Sequence, residues 1–229
     1  MMTTDKNKTP TFPAEVARVS KLLRKEIYAG QRQPTEHLKE IRLAETYSVS
    51  RMIIRQVLSQ LATDDLVVIE PYKGASVAVV TIDQIYETYR VVAMLEGFSA
   101  KLAAENVTDD DIERLSILLE KQKKIKEGET RHWQSLNFEF HRIINQKSNN
   151  KQIIQLLRQK TQFTNYWFLS IPRMNFKIAI KAHEKIVAAM MEHNSNKARK
   201  YMEEHIMVRV KHLVNDIQER IPIGMFHKV

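Results

Sequence analysis

Three helical patterns followed directly by a pair of β-prone runs constrain the fold of this chain more than any other feature of its sequence. Apolar residues recur at helical spacing in three stretches, residues 14–29, 41–44 and 53–61. Two β-prone runs follow, residues 66–69 and 75–80, and Pro71–Gly74 between them is typical of a hairpin turn. Three helices and a hairpin in this order predict a winged helix-turn-helix.

Beyond Thr81 the β signals cease and helix-start signals replace them. These signals stand at Asp83, Thr108, Ser148 or Asn149, and Ser195. They divide the remaining chain into about six helical stretches, and the five glycines and six prolines agree with a mostly helical protein. The sequence predicts a mainly α fold in two domains, an N-terminal winged helix-turn-helix at residues 1–80 and a C-terminal all-α helical bundle at residues 81–229.

The composition excludes several classes of protein. No apolar run approaches the roughly 20 residues that cross a bilayer, and the polar N-terminus offers no apolar segment for a signal peptide, so a soluble cytoplasmic protein is expected. The absence of cysteine excludes disulfides and thiol catalysis, and any metal must be held by nitrogen and oxygen ligands. The net charge of +9 favours a polyanionic partner such as nucleic acid.

The third helical pattern carries the candidate nucleic-acid contacts. Ser50 is a suitable N-cap for it, and Arg51 and Arg55 are four residues apart, so they share one helix face. In a helix-turn-helix the second helix enters the major groove, where an arginine can donate two hydrogen bonds to one guanine. An amphipathic surface helix with two solvated arginines is the alternative. The hairpin directly behind the helix favours DNA binding, because Lys73 and Gly74 at its tip supply a wing.

Leu43–Leu58 reads LAETYSVSRMIIRQVL, and Leu61 and Asp65–Val67 follow it. This segment resembles the DNA-binding domain of the GntR family of bacterial transcription regulators, which typically reads LAxxLGVSRTPVREAL. Lys73–Val77 resembles the family's wing, and Glu96–Ala104 resembles the opening helix of the ligand-binding domain in the FadR branch, the FCD type. The resemblance implies DNA contacts on the recognition helix and in the wing. The predicted DNA-binding residues are Arg42, Ser50, Arg51, Met52, Arg55, Lys73 and Gly74.

The segment also departs from the family pattern. Thr35, Ser48 and Asp65 each stand where relatives have glycine, and Met52 and Ile53 replace threonine and proline. None of these departures removes the two arginines. Met52 replaces a hydroxyl group that could donate to a phosphate, which leaves the operator sequence open.

Three of the eight histidines lie on apolar faces of separate predicted helices, together with one asparagine. His141 follows Asn137 by four residues, and His183 and His205 lie in the last two helical stretches. A buried imidazole needs partners for its ring nitrogens, so a hydrogen-bonded core histidine is the alternative for each one alone. Three converging imidazoles favour a metal site. The remaining histidines are expected to be surface, loop or packing residues: His37, His132, His193, His212 and His227.

The family resemblance supports the hypothesis of a metal site and suggests its ligands. Many FadR-branch regulators bind a divalent metal through a carboxylate four residues before one histidine and two later histidines. The matching residues here are Asn137, His141, His183 and His205. Three imidazoles suit zinc or nickel. Because Asn137 is neutral where aspartate is common, we expect weaker metal retention and stronger attraction of an anionic effector.

A second departure concerns the effector. Relatives often carry an arginine four residues before the residue that matches Glu96, but this chain has Val92 there. Arg90 is offset by two residues and is expected to face elsewhere. Arg209, one helical turn beyond His205, is the candidate effector residue for a small carboxylate.

Together these features predict a metal- and small-molecule-responsive transcriptional regulator, a repressor released by an organic acid. A homodimer is expected because two-fold proteins match palindromic operators. The sequence predicts no enzymatic activity. One alternative is a metal hydrolase that uses the histidines with Glu184, but Glu184 follows His183 directly and points about 100° away around the helix. The other alternative is a regulator whose histidines form a packed core without metal.

Overall fold

The computed structural model describes residues 11–28, 30–79, 81–126, 128–169 and 176–220. The chain divides into two compact units, residues 1–80 and 81–229. The described residues form helices and one two-stranded sheet, which confirms the predicted mainly α fold. None of the described helices is long and apolar enough to cross a membrane.

The first unit is a winged helix-turn-helix, as predicted. Its elements are α1 (Phe12–Tyr28), α2 (Glu40–Tyr47), α3 (Arg51–Thr63), β1 (Val67–Glu70) and β2 (Gly74–Val77). The strands are antiparallel, with Val67 opposite Val77 and Glu70 opposite Gly74. Its core is built from buried apolar residues on one face of each helix, including Leu23 on α1, Leu43 on α2 and Ile54 on α3.

Two boundaries in this unit differ from the sequence prediction. The second strand ends at Val77 rather than Val80, and Val77 is paired with Val67, the first residue of β1. The first helix begins at Phe12, two residues earlier than the apolar spacing indicated. Its predicted last residue, Ala29, lies outside the described residues.

The three positions that depart from the family's glycines all have left-handed backbone conformations. Thr35 has φ 67°, Ser48 has φ 55° and Asp65 has φ 57°. Residues with a Cβ adopt this region at an energetic cost, and a β-branched residue such as Thr35 is the least suited to it. The chain therefore holds three residues other than glycine in a conformation that glycine fits best.

The second unit is all helical in its described residues. Its elements are α4 (Ile82–Asn106), α5 (Asp109–Lys123), α6 (Thr130–Lys147), α7 (Lys151–Leu169), α8 (Phe176–Met191) and α9 (Ser195–Arg220). The six helices confirm the predicted number. The starts of α6 and α8 lacked a sequence signal.

Capping side chains set the starts of α4, α5 and α7. Thr81 and Thr108 each form a capping box at the start of α4 and α5. At α7 the Oδ1 of Asn150 accepts the backbone N–H groups of Gln152 and Ile153 at 3.1 Å, so this helix begins later than Ser148 or Asn149 indicated. Asp83, a predicted start, lies inside the first turn of α4.

Helix α4 packs closely against α9 because the inner face of α4 carries small residues. Ala100, Ala103 and Ala104 are fully buried, and a Cβ at Gly97 would collide with the side chain of Glu203 on α9. Helices α6 and α8 pack against other parts of the same core. This arrangement turns the inward faces of α4, α6, α8 and α9 toward one site.

Candidate nucleic-acid interface and metal centre

The apolar and the cationic residues of α3 lie on opposite faces of the helix, as the periodicity predicts. Ile54, Val57 and Leu61 are fully buried, whereas the side chains of Arg51 and Arg55 are 56% and 65% exposed. The Oγ of Ser50 accepts the backbone N–H of Ile53, so Ser50 is the N-cap of α3. Both guanidinium groups are therefore accessible from solvent.

The two arginines share one carboxylate, which the sequence reasoning missed. Glu40, the first residue of α2, accepts hydrogen bonds from Arg55 Nε at 2.9 Å and from Arg51 Nη2 at 3.1 Å. The hydrogen bond from Arg55, foremost, lowers the pKa of Glu40 below its ordinary value. Glu40 is separated from the arginines by 11 and 15 residues, so no spacing rule within one helix identifies it.

A groove of about 710 Å³ runs along this surface, and its lining joins the helices to the wing. Arg42, Arg51, Arg55, Lys73 and Gly74 line it, whereas Ser50 and Met52 are exposed beside Arg51 at the start of α3. All seven predicted DNA-binding residues therefore lie at or near one groove of the winged unit.

The tip of the wing is exposed to solvent. The side chain of Tyr72 is fully exposed in a left-handed turn, with φ 65°. The Nζ of Lys73 lies 2.6 Å from a carboxylate oxygen of Glu70, and its side chain is 72% exposed. The wing presents an aromatic ring and an ammonium group to solvent.

Three imidazoles converge in the second unit. One ring nitrogen from each of His141, His183 and His205 lies within 4.8 Å of the others, and all three residues are buried. The Nε2 atoms of His183 and His205 are 3.3 Å apart. Two nitrogens bound to one zinc ion at about 2.0–2.1 Å in a tetrahedral arrangement lie roughly 3.3 Å apart, so this spacing suits a shared cation.

Hydrogen bonds orient two of these rings through their Nδ1 atoms. Glu96 Oε2 lies 3.2 Å from His141 Nδ1, and Gln122 Oε1 lies 2.8 Å from His183 Nδ1. A ring that donates from Nδ1 keeps an unprotonated Nε2, the form that binds a metal. Glu96 in turn accepts a hydrogen bond from Asn145 Nδ2 at 3.1 Å.

Two buried polar atoms at this site have no hydrogen-bond partner among the described residues, His141 Nε2 and Asn137 Nδ2. A buried polar group without a partner typically costs about 1–3 kcal/mol, which a bound cation would offset. The amide of Asn137 can rotate by 180°, so its oxygen can take the place of the unpartnered nitrogen. The residues present therefore fit a divalent metal.

The surroundings of His183 and His205 keep these two imidazoles neutral. Burial lowers the pKa of His183 and of His205 well below the ordinary value, and the neighbouring histidines and Arg209 lower it further. The ring of Phe140 stacks on His183 with 4.0 Å between centroids, and Trp133 lies beyond at 6.1 Å. A neutral imidazole is the species that ligates a metal.

A cavity of about 230 Å³ opens beside the imidazoles. Its lining includes Asn137 and His141 together with three arginines, Arg142, Arg158 and Arg209. Burial lowers the pKa of Arg209 to about 10, and Tyr89 and Glu96 oppose the shift, so Arg209 remains a cation at neutral pH. Val92, the position at which the family resemblance led us to look for an arginine, lines the same cavity.

The other predicted positions are outside the cluster. His37, His132 and His193 are exposed, as expected for surface or loop residues, and Arg90 is exposed as well. His212 is also exposed, so the expectation that it packs inside or lines the cavity is wrong. His227 lies outside the described residues.

Two buried residues of this centre were missed by the sequence reasoning, although both carry a signal. Glu96 is an acidic residue on the apolar face of α4, and Gln122 continues the buried stripe of Leu115 and Leu119 on α5. A polar residue on an apolar face must find a buried partner. Both residues are far in sequence from the histidines, so the sequence did not show that Glu96 contacts His141 and Gln122 contacts His183.

Models of two protein families match this chain. The model of bacterial regulatory proteins of the gntR family matches residues 15–77, and the model of the FCD domain matches residues 87–207, which is more than half of the chain. The two matches lie in the two structural units.

Two similar proteins are named as regulators, and one solved structure is similar in fold. The Uxu operon regulator of Haemophilus influenzae is 27% identical over 220 residues, covering 85% of this chain and 80% of that protein. The transcriptional repressor RspR of Escherichia coli is 22% identical over 212 residues, covering 90% of this chain and 91% of that protein. The structure of McbR/YncC from E. coli is similar in fold, with a TM-score of 0.65, 22% identity, and coverage of 88% and 97%.

The matched families and the similar proteins are transcriptional regulators and not enzymes, and Glu184, the carboxylate that a hydrolase would need, pairs with Lys123 at 3.0 Å. This chain belongs to the GntR family of bacterial regulatory proteins with an FCD domain, and it is a DNA-binding transcriptional regulator.

Proposed function

We propose that this regulator represses transcription by binding a palindromic operator as a homodimer in the bacterial cytoplasm, and that a small carboxylate bound beside a divalent metal releases it. The observation that carries the ligand-dependent part is the convergence of three buried imidazoles beside a cavity lined by arginines. The name of the similar protein RspR, a repressor, supports the direction of control.

Operator reading is assigned to the exposed face of α3 and to the wing. Arg51 and Arg55 are the base-reading side chains, and Lys73 is the phosphate contact, because cations on one accessible groove match the charge of the DNA backbone. Ser50, Met52 and Arg42 complete the helical contacts, and Gly74 lets the wing approach the duplex closely.

The metal ligands in this proposal are Asn137, His141, His183 and His205. The donor set of three imidazoles and one amide oxygen favours zinc or nickel. A bound metal supplies a positive centre for an anionic ligand. Glu96 and Gln122 hold two of the rings in the ligating tautomer.

The effector proposed is a small organic carboxylate. The cavity of about 230 Å³ is below the usual range for drug-sized ligands, roughly 300–1,000 Å³, so a small molecule fits it. Arg209 supplies a partly desolvated cation, and the neutral Asn137 leaves the charge of the metal uncompensated. Such an acid lowers operator affinity only if it binds the DNA-free arrangement more tightly than the DNA-bound one.

A stripe on α4 supports the homodimer. Val91, Met94 and Phe98 follow at helical spacing and are 41%, 53% and 40% exposed. Contact with a second copy would remove this apolar surface from water. Met94→Glu is expected to yield monomers in analytical ultracentrifugation, whereas Ile117→Glu, an exposed apolar site on α5, is expected to leave the dimer intact.

The DNA part of the proposal is tested by fluorescence anisotropy with an operator selected from random duplexes. Arg51→Ala/Arg55→Ala is expected to abolish sequence-specific binding. If this variant still discriminates the operator from random DNA, the assignment of the reading face is wrong.

The metal part is tested by elemental analysis of protein purified without chelator. His141→Ala/His183→Ala is expected to lose the bound ion and metal uptake. Absence of metal from the unchanged protein, with equal metal uptake by both proteins, favours a regulator whose histidines are a packed core. A thermal-shift screen of metals and organic acids then identifies effectors, because a ligand of the folded state raises its melting temperature.

A further inference from the structure

The carboxylate of Glu40 contacts the two reading arginines through different atoms. Arg55 donates only through Nε, to Oε1 at 2.9 Å and to Oε2 at 3.0 Å. Arg51 donates through a terminal nitrogen, Nη2, at 3.1 Å. The two arginines are therefore not equivalent, although the helical spacing treats them alike.

This difference determines which guanidinium keeps both of its terminal nitrogens free to donate. Arginine has one N–H on Nε and two on each terminal nitrogen. In Arg55 both terminal nitrogens are without a hydrogen bond to any residue that the structure describes, and the side chain is 65% exposed. Guanine O6 and N7 are read by two donors of one guanidinium, so the free end of Arg55 matches this edge.

The ion pair itself contributes little to stability. Exposed pairs of this kind are screened by water and salt and typically contribute less than about 1 kcal/mol. The three partners are 29–65% exposed, so stability does not account for one acid placed between two cations on a DNA-binding surface. A carboxylate there also repels the phosphates of any duplex, which lowers affinity irrespective of sequence.

We propose that Glu40 is a positioning residue for operator specificity, which holds Arg55 end-on toward one guanine of each half-site. The inference rests on the proposed assignment of Arg55 to the operator. In this arrangement Arg55 reads the base, whereas Arg51, with a terminal nitrogen engaged, contributes less to guanine selectivity.

The test uses the full-length protein and an operator selected from a randomised duplex library. Each guanine of the selected site is replaced in turn by 7-deazaguanine, which lacks the N7 acceptor. For the unchanged protein we expect one guanine per half-site at which this replacement weakens binding roughly tenfold or more. Arg55→Lys is expected to abolish this penalty.

Glu40→Gln is the decisive variant, because it preserves the shape of the side chain and removes its charge. The ratio of the Kd for the 7-deazaguanine duplex to the Kd for the guanine duplex is expected to fall toward 1. Affinity for random-sequence duplex is expected to be retained or increased. Glu40→Asp, which keeps the charge, is expected to retain part of the penalty. Glu36→Gln, which alters a similar ion pair with Arg32 in the same unit, is the matched control and is expected to retain all of it.

Two outcomes overturn the inference. One is a full penalty in Glu40→Gln, and the other is an equal loss of affinity for selected and random duplexes, which indicates general damage to the binding surface. Either outcome leaves the proposed function standing, provided that Arg51→Ala/Arg55→Ala still abolishes specific binding. If that double variant binds its operator normally, both the function and the inference fail.

Discussion

The Nε2 atoms of His183 and His205 face each other at 3.3 Å in a buried site. Gln122 occupies Nδ1 of His183, so Nε2 of this ring carries a lone pair when the ring is neutral. A cation between the two rings would stabilise the pair, and the unpartnered Nε2 of His141 completes a set of three donors. This relationship makes the centre testable residue by residue.

Replacing Asn137 by aspartate should tighten metal binding. Asn137→Asp adds a negative charge beside the proposed cation, and we expect zinc affinity to rise by about tenfold, or about 1.4 kcal/mol. The measurement is competition with a chromophoric chelator. Asn149→Asp adds the same charge at an exposed position beyond the end of α6 and serves as the control. Equal affinities in all three proteins would show that residue 137 does not contact the metal.

Glu96→Gln should weaken metal binding even though Glu96 is not a ligand in our proposal. The new amide can donate to His141 Nδ1, which favours the tautomer with a protonated Nε2 that cannot ligate. Loss of such a supporting partner typically costs about 10–100-fold in affinity. Glu184→Gln, which alters an exposed glutamate next to His183, is expected to have no effect. An unchanged affinity in Glu96→Gln would contradict the role assigned to this carboxylate.

Lys73→Ala should weaken binding to all duplexes by a similar factor. If Lys73 neutralises one phosphate of B-DNA, its removal is expected to reduce the slope of log affinity against log salt concentration by about 0.9 in magnitude. Lys200→Ala is a matched control, because Lys73 and Lys200 are 72% and 71% exposed and each lies near a glutamate. A salt slope that does not change in Lys73→Ala would place the wing away from the backbone.

Met52 should read thymine through its 5-methyl group. Its side chain is 65% exposed beside Arg51, and apolar side chains in the major groove contact this methyl. Replacing one operator thymine by uracil is expected to weaken binding by about 0.8 kcal/mol, the value of one buried methylene-sized group. Met52→Ala should bind both duplexes equally. Retained discrimination in that variant would assign the contact to another residue.

Thr35→Gly should stabilise the winged unit. Relief of the left-handed backbone at φ 67° gains about 1–2 kcal/mol, offset by about 0.4–1 kcal/mol of added freedom in the unfolded chain, so the expected net gain is about 0.8 kcal/mol at the middle of these ranges. Slower hydrogen exchange in α2 and α3 measures it. Gly30→Ala is expected to destabilise the winged unit, because Gly30 has φ 68°, which strains an alanine. An added Cβ meets nothing within 4 Å, so backbone strain is the only cost expected.

Features that depend on local sequence were predicted well. The hairpin behind α3, the exposed face of Arg51 and Arg55, and the inward faces of the histidines all follow from spacing within one element. Helix starts shifted where a neighbouring side chain caps the helix, as Asn150 does at α7. These differences are small because capping acts over only a few residues.

Features that depend on contacts between elements were not predicted. Glu96 and His141 are 45 residues apart in sequence, and Gln122 and His183 are 61 residues apart. Periodicity assigns each residue to a face but does not identify the facing residue on another helix. The orienting partners of the histidines therefore required the packed structure, as did Glu40.

Helix α4 runs without a break from its capping box at Thr81 past Glu96 to Asn106. The stretch between Ile82 and Glu96 is about 21 Å long at 1.5 Å per residue. Since backbone hydrogen bonds make such a segment stiff, any shift of Glu96 when a ligand enters the cavity is expected to reach the amino end of α4 at Ile82 as a movement of the whole helix.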